Sequence, residues 1–202
     1  MKKYLVQAVT ALSLLSAVTI AHAFTLNVNP SSQGAVVGGT VSIDIVASGL
    51  VDGAAPSLGA FDIDLSFNPA VLAFTGAVLG DAVLGNQLDL FNLGSSNGVT
   101  PGASSVNLFE ISLDLASDLD SLQAGSFTLA TLSFNTIAEG SSLIDLSINA
   151  LGDSLGDPLV ANVVGGSVSV QPTVPVPLPP TLPMLFTSLL AVCARLIRQR
   201  SA

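Results

Sequence analysis

The segment Phe61-Asp62-Ile63-Asp64-Leu65-Ser66-Phe67 puts four large apolar residues on one side of an extended chain and three polar ones on the other. Successive side chains of a strand point to opposite faces, so a period of two fits a half-buried strand and no helix. Asn68-Pro69 ends the run, because proline cannot continue a central strand. Phe24-Leu26-Val28 and Val41-Ile43-Ile45 alternate in the same way, the latter with Asp44 pointing outward. Leu72-Ala73-Phe74 opens a short run, and Phe109, Ile111, Leu113 and Leu115 alternate with Glu110, Ser112 and Asp114. Two more runs, Phe127 to Phe134 and Leu143 to Ile148, precede a last strand from Val163 to Val170. No window sustains a helical period. Eight or nine short strands joined by turn-rich connections predict an all-β antiparallel sandwich, with a small closed barrel as the alternative.

Charge separates the folding part of the chain from its ends. Lys2 and Lys3 open the chain, Arg195, Arg198 and Arg200 close it, and the single histidine is His22. All 14 carboxylates fall between Asp44 and Asp157, so formal charge there is −14 against −9 for the whole chain. Half of the residues are apolar, which excludes disorder despite the net charge.

This composition removes most chemistry. Nucleophilic catalysis needs an activated nucleophile and a base beside it. Residues 24 to 170 hold no His, Lys or Cys, and Cys193 sits in an apolar run near the C-terminus as a small filler. Two carboxylates could serve glycoside hydrolysis, but such sites hold the sugar on aromatic platforms. The only tyrosine is Tyr4 and tryptophan is absent, so the expectation is a protein that is not an enzyme. The same shortage counts against flat glycan-binding faces. Nucleic-acid binding is excluded for a domain with no basic residue.

The ends read as addresses. Lys2 and Lys3, an apolar run from Leu5 to Ile20, and the small-x-small pattern of Ala21-His22-Ala23 predict a signal peptide over residues 1–23. That complete order favours cleavage over a retained membrane helix, and the mature chain would begin at Phe24. Residues 171–181 form a Pro-rich spacer, which proline keeps extended. The apolar run Leu182 to Ala194 spans roughly 20 Å as a helix, short of the ~30 Å hydrocarbon core. Leu196 and Ile197 extend it to a predicted transmembrane helix over 182–197, with Arg195 snorkelling. Arg195, Arg198 and Arg200 serve as a stop-transfer cluster, leaving a basic cytoplasmic tail at 198–202.

Spacer, short helix and basic end together resemble the PEP-CTERM class of bacterial sorting tails. Val176-Pro177-Leu178-Pro179 stands where the usual motif is Val-Pro-Glu-Pro. Pro180 departs from the pattern, as does Pro183 at the helix start, although a first-turn proline is tolerated. The resemblance implies an exosortase as processing partner, cleavage near the motif, and a Gram-negative producer of exopolysaccharide. The chain would be exported through the inner membrane, anchored by its C-terminus, and passed to the cell surface or extracellular matrix. An ordinary single-span anchor is the alternative.

Residues 24–170 resemble the cohesin module. The matching segments are Gly39-Thr40-Val41-Ser42-Ile43, Phe67-Asn68-Pro69-Ala70-Val71-Leu72, Gly125 with Leu129-Ala130-Thr131-Leu132-Ser133-Phe134, and Gly166-Ser167-Val168-Ser169-Val170. The resemblance implies a nine-stranded jelly-roll sandwich shared by cohesins and related carbohydrate-binding modules. It implies a non-catalytic binding or scaffolding module with a protein or polysaccharide partner; a carbohydrate-binding module in a biofilm matrix is the alternative.

Calcium is the one cofactor left open. Asp114, Asp118 and Asp120 place three carboxylates within seven residues, and hard cations take clustered oxygens. Leu151 to Asp157 supplies two more in a glycine-rich loop, partly echoed by Leu79-Gly80-Asp81. Neither segment matches an EF-hand, and a solvated acidic loop is the competing account.

Overall fold

The computed structural model describes residues 24–173. The expected signal-peptide residues Ala21 and Ala23, the expected motif Val176 to Pro179, the expected helix over 182–197 and the arginines Arg195, Arg198 and Arg200 lie outside the described residues.

In chain order the elements are β1 (Thr25–Asn29), β2 (Ser32–Val36), β3 (Thr40–Ser48), β4 (Leu58–Ser66), β5 (Leu72–Leu79), β6 (Ser96–Pro101) and β7 (Ser105–Ile111). Helix α1 (Ala116–Leu122) follows, then β8 (Ser126–Thr136), β9 (Gly140–Asp153), β10 (Asn162–Val164) and β11 (Gly166–Gln171). One sheet has the order β10-β1-β3-β8-β5 and the other β2-β11-β9-β4-β7-β6. Both sheets keep open edges, so the fold is a sandwich and not the closed barrel. Neighbouring strands are antiparallel except β1–β10 and β2–β11, which run parallel. Of the connections between consecutive strands, only β6–β7 stays within one sheet; the others cross between the two.

The alternation sets the core. Val41, Ile43, Ile45 and Ala47 of β3 and Phe61, Ile63 and Leu65 of β4 are all buried. Each of these Val, Ile, Leu and Phe side chains contributes roughly 1.5–3 kcal/mol by leaving water. In β8, Leu129 and Ala130 are buried consecutively. A bulge opposite Ile45/Val46 absorbs the extra residue, so Phe127, Leu132 and Phe134 all still face the core. Phe134 anchors one end, with Phe67 and Phe74 meeting it edge-on at ring-centre distances of 5.1 and 5.6 Å.

Three readings of the alternation change in the structure. First, the run Phe109–Leu115 has the opposite phase. Val106, Leu108 and Glu110 of β7 face inward, while Ile111, Leu113 and Leu115 are exposed at 48, 68 and 69%. A shift of one residue exchanges every side chain between faces, and Val106 and Leu108 fix the phase one step earlier than the run alone suggests. Second, the strand from Val163 to Val170 is broken at Gly165. A Cβ there would lie 2.6 Å from the Ile144 carbonyl oxygen, so glycine alone allows this close crossing between sheets. Third, residues 116–122 are helical although no helical period stands out. With seven residues and one buried position, Leu119, the helix is too short to show one.

Candidate functional site

An outward surface with ordered polar chemistry lies on the β9-β4-β7-β6 part of the larger sheet. Asp62 and Asp64 project outward from β4 because Phe61, Ile63 and Leu65 between and beside them are committed to the core. In register, Asp64 lies opposite Asn107 of β7 and Ser147 of β9. Asp62 lies opposite Phe109 and Ala150, and the register shifts between Asp62 and Ile63. That shift leaves Asn149 as the extra residue of β9.

The bulge re-aims Asn149 across the two aspartates. Its Nδ2 donates to Asp62 Oδ1 at 3.1 Å and to Asp64 Oδ2 at 2.9 Å. From the other side, Asn107 Nδ2 donates to Asp62 Oδ1 at 2.7 Å. Two carboxylates are thus held by neutral amides, and no basic side chain exists in residues 24–173 to cancel their charge. Phe109 flanks the network and packs over Gly98 of β6, where a Cβ would lie 2.5 Å from the ring. Half-exposed Ile111 extends the apolar border. The face therefore offers carboxylate oxygens ringed by amides, with an apolar rim. It can accept hydrogen bonds and attract cationic groups.

Among the candidate metal ligands, the structure engages two separately. Asp114 Oδ2 accepts the Leu90 N–H at 2.7 Å. Asp120 Oδ1 accepts the Ser57 hydroxyl at 2.6 Å and the Ser154 hydroxyl at 2.8 Å. These bonds, that from Ser57 foremost, hold its carboxyl below the ordinary carboxylate range. Asp118 sits in the first turn of α1. Among the described residues, no three His, Cys, Asp or Glu side chains gather into a metal-holding group. In the glycine-rich loop, Asp153 Oδ1 accepts the N–H groups of Leu155 and Asp157, which closes the turn locally.

Asp81 has a similar local role. It accepts N–H bonds from Val83 and Leu84 through Oδ1 and from Thr128 through Oδ2. The backbone donors of Leu84, Thr128 and Val83 lower its carboxyl to about 2. Two apolar grooves also lie among the described residues. One of about 490 Å³ is lined by Phe67, Pro69, Leu72, Phe74 and Pro101. The other, of about 350 Å³, is lined by Phe24, Leu50, Pro56, Leu159 and Val160. Neither contains a titratable group.

Sequence reasoning picked out Asp62 and Asp64 as the polar side of one strand but not their partners. Asn107 and Asn149 are 45 and 87 residues from Asp62 in the chain. Only strand register brings them together, and the local pattern carries no signal for it.

No protein-family model matches the sequence, and no curated protein matches it either. Solved structures do match. A non-cellulosomal cohesin from Archaeoglobus fulgidus aligns with a TM-score of 0.55 at 15% identity, covering 74% of this chain and 91% of that one. The seventh ScaB type I cohesin from Pseudobacteroides cellulosolvens gives 0.58 at 14% identity, over 78% and 97%. A type I cohesin–dockerin complex from Clostridium thermocellum gives 0.58 at 15% identity, over 78% and 99%. At these identities the likeness establishes the fold: residues 24–173 adopt a cohesin-type β-sandwich.

Proposed function

We propose that this chain is an exported, non-catalytic binding module that holds a protein partner on the β9-β4-β7-β6 face. The observation that carries the reading is the Asp62–Asn107–Asn149–Asp64 network. Four polar side chains are pre-ordered on an open sheet face without a basic residue in the domain to occupy them. Pre-ordered acceptors lower the cost of association, and uncompensated negative potential steers cationic partners and rejects acidic ones. The partner surface should therefore bring Lys, Arg or other donors to the aspartates and an apolar group to Phe109 and Ile111. The type I cohesin neighbours, one of them solved as a complex with a dockerin, support a protein partner rather than a small substrate.

Export and retention rest on the sequence ends. A signal peptide over residues 1–23 and the Val176-Pro177-Leu178-Pro179 tail with its three arginines deliver the module to the cell surface or matrix, with exosortase as the processing enzyme. A module presented this way scaffolds other matrix or envelope components.

The test uses immobilised chain and the secreted proteins of the producing organism, with three forms compared side by side. Wild type and Ser42→Lys, a control on the outer face of β3, should retain the same protein, and Asp64→Lys should release it. Equal retention by Asp64→Lys would remove this face from the reading. Retention of purified exopolysaccharide, with no protein retained, would replace the protein-partner reading by a glycan-binding one.

A further inference from the structure

The inward phase of β7 places a carboxylate where the core expects an apolar side chain. Glu110 is fully buried. Its Oε1 accepts bonds from Asn86 Nδ2 and Ser95 Oγ, and its Oε2 is shielded from solvent with no hydrogen-bond partner. Four residues on, partly buried Asp114 also has one bonded and one unpartnered oxygen. Its Oδ2 accepts the Leu90 N–H, and its Oδ1 is buried without a partner. One loop, 81–95, grips both carboxylates, through Asn86 and Ser95 on Glu110 and through Leu90 on Asp114.

A buried carboxylate is ordinarily paired with a cationic side chain or coordinates a metal. Here the first route is closed, because residues 24–173 contain no Lys, Arg or His. A charged Glu110 therefore needs a cation from solution.

We propose that Glu110 and Asp114 form a calcium site beneath the 81–95 loop. Hard cations take all-oxygen coordination, and calcium accepts six to eight oxygens in flexible geometry. The two unpartnered carboxylate oxygens supply the charge; neutral oxygens of the loop and water complete the shell, so a cluster of three acids is not required. The site ties the 81–95 loop to the end of β7. It differs from the Asp114-Asp118-Asp120 reading in two ligands, since Asp118 lies on α1 and Asp120 is held by Ser57 and Ser154.

The experiment takes the full chain, purified in detergent and stripped with chelator, and titrates it with calcium chloride against sodium chloride of matched ionic strength. Equilibrium dialysis should find about one tightly held calcium ion per chain. Calcium at a hundredfold excess over Kd should raise the Tm by roughly 5–10 °C. Glu110→Gln and Asp114→Asn should each lower calcium affinity at least tenfold, while Asp118→Asn keeps the wild-type response. No calcium-specific binding or shift in wild type would overturn the site, leaving Glu110 with a proton or a water. A wild-type response in Glu110→Gln would overturn it too. If Glu110→Gln does not fold, Asp114→Asn decides, and an unchanged calcium affinity there rejects the proposal.

Discussion

Gln123 pairs with Leu58 as a neighbouring strand would. Its side-chain Oε1 accepts the Leu58 N–H at 2.6 Å, and its Nε2 donates to the Leu58 carbonyl at 2.9 Å. The same Nε2 donates to the Gln87 carbonyl at 3.0 Å, and the Gln87 side chain accepts the Ala124 N–H. One buried amide thus stands in for a strand at the start of β4 and joins it to the 81–95 loop.

Gln123→Ala leaves the N–H and C=O of Leu58 buried without these partners. Loss of stability of about 2–4 kcal/mol is expected, because unsatisfied buried polar groups cost more than a hydrogen bond gains. Urea unfolding measures it. Gln123→Glu should also destabilise, since it removes the donor to Leu58 and buries a charge. A loss below 0.5 kcal/mol (roughly the surface-substitution level) in Gln123→Ala would mean the amide is dispensable.

Acid should weaken the chain in part through Asp81. Its folded carboxyl lies at about 2, below its ordinary value of 3.8. A lowered folded pKa gives stability that is complete above the unfolded value and is lost as pH falls through the folded one. The Asp81 contribution is therefore full above pH about 4 and disappears toward pH 2. The difference in unfolding free energy between wild type and Asp81→Asn isolates the Asp81 part, and it should shrink from pH 5 to pH 2.

Asp120 ties α1 to two loops through Ser57 and Ser154. Asp120→Ala should cost about 1–2 kcal/mol, reduced from the range for charged hydrogen bonds because the carboxylate is partly open to water. Ser154→Ala should cost less than Asp120→Ala, since the Ser57 bond remains. Calcium response should survive Asp120→Ala unchanged.

Trypsin should find no site between residues 4 and 194, because no Lys or Arg lies there. Digestion in urea followed by intact mass measurement should leave that stretch uncut. The N-terminal residue of the exported product should be Phe24. Internal tryptic fragments would contradict the base-free sequence, and a product beginning elsewhere would move the cleavage site.

The sandwich was legible where one face of a strand is chemically unlike the other. Phe61 to Phe67 carries Phe, Ile and Leu on one side and Asp and Ser on the other, so its phase admits a single reading. The stretch from Val106 to Leu115 has apolar residues in both phases, at 106 and 108 and then at 109, 111, 113 and 115. Only the strand's end at Ile111 and its pairing with β4 decide between them. That ambiguity hid the burial of Glu110. β2 and β6 were missed for another reason: Ser32–Val36 and Ser96–Pro101 each hold a single valine and no Leu, Ile or Phe, and pair along a neighbouring ladder. The outward aspartates were visible, while the amides that hold them depend on register between distant strands.

The parallel pairing of β2 with β11 runs from Ser32 opposite Ser167 to Val36 opposite Gln171. The chain enters this pair at its lower end through β2 and leaves it at its upper end through β11. Tension drawn between the entry and the exit slides the two strands lengthwise past each other. Every rung of the ladder is then loaded together, and none can open before the rest. A pull between Ser32 and Gln171 therefore meets this ladder in shear, where two antiparallel strands drawn apart from one end would unzip one rung at a time.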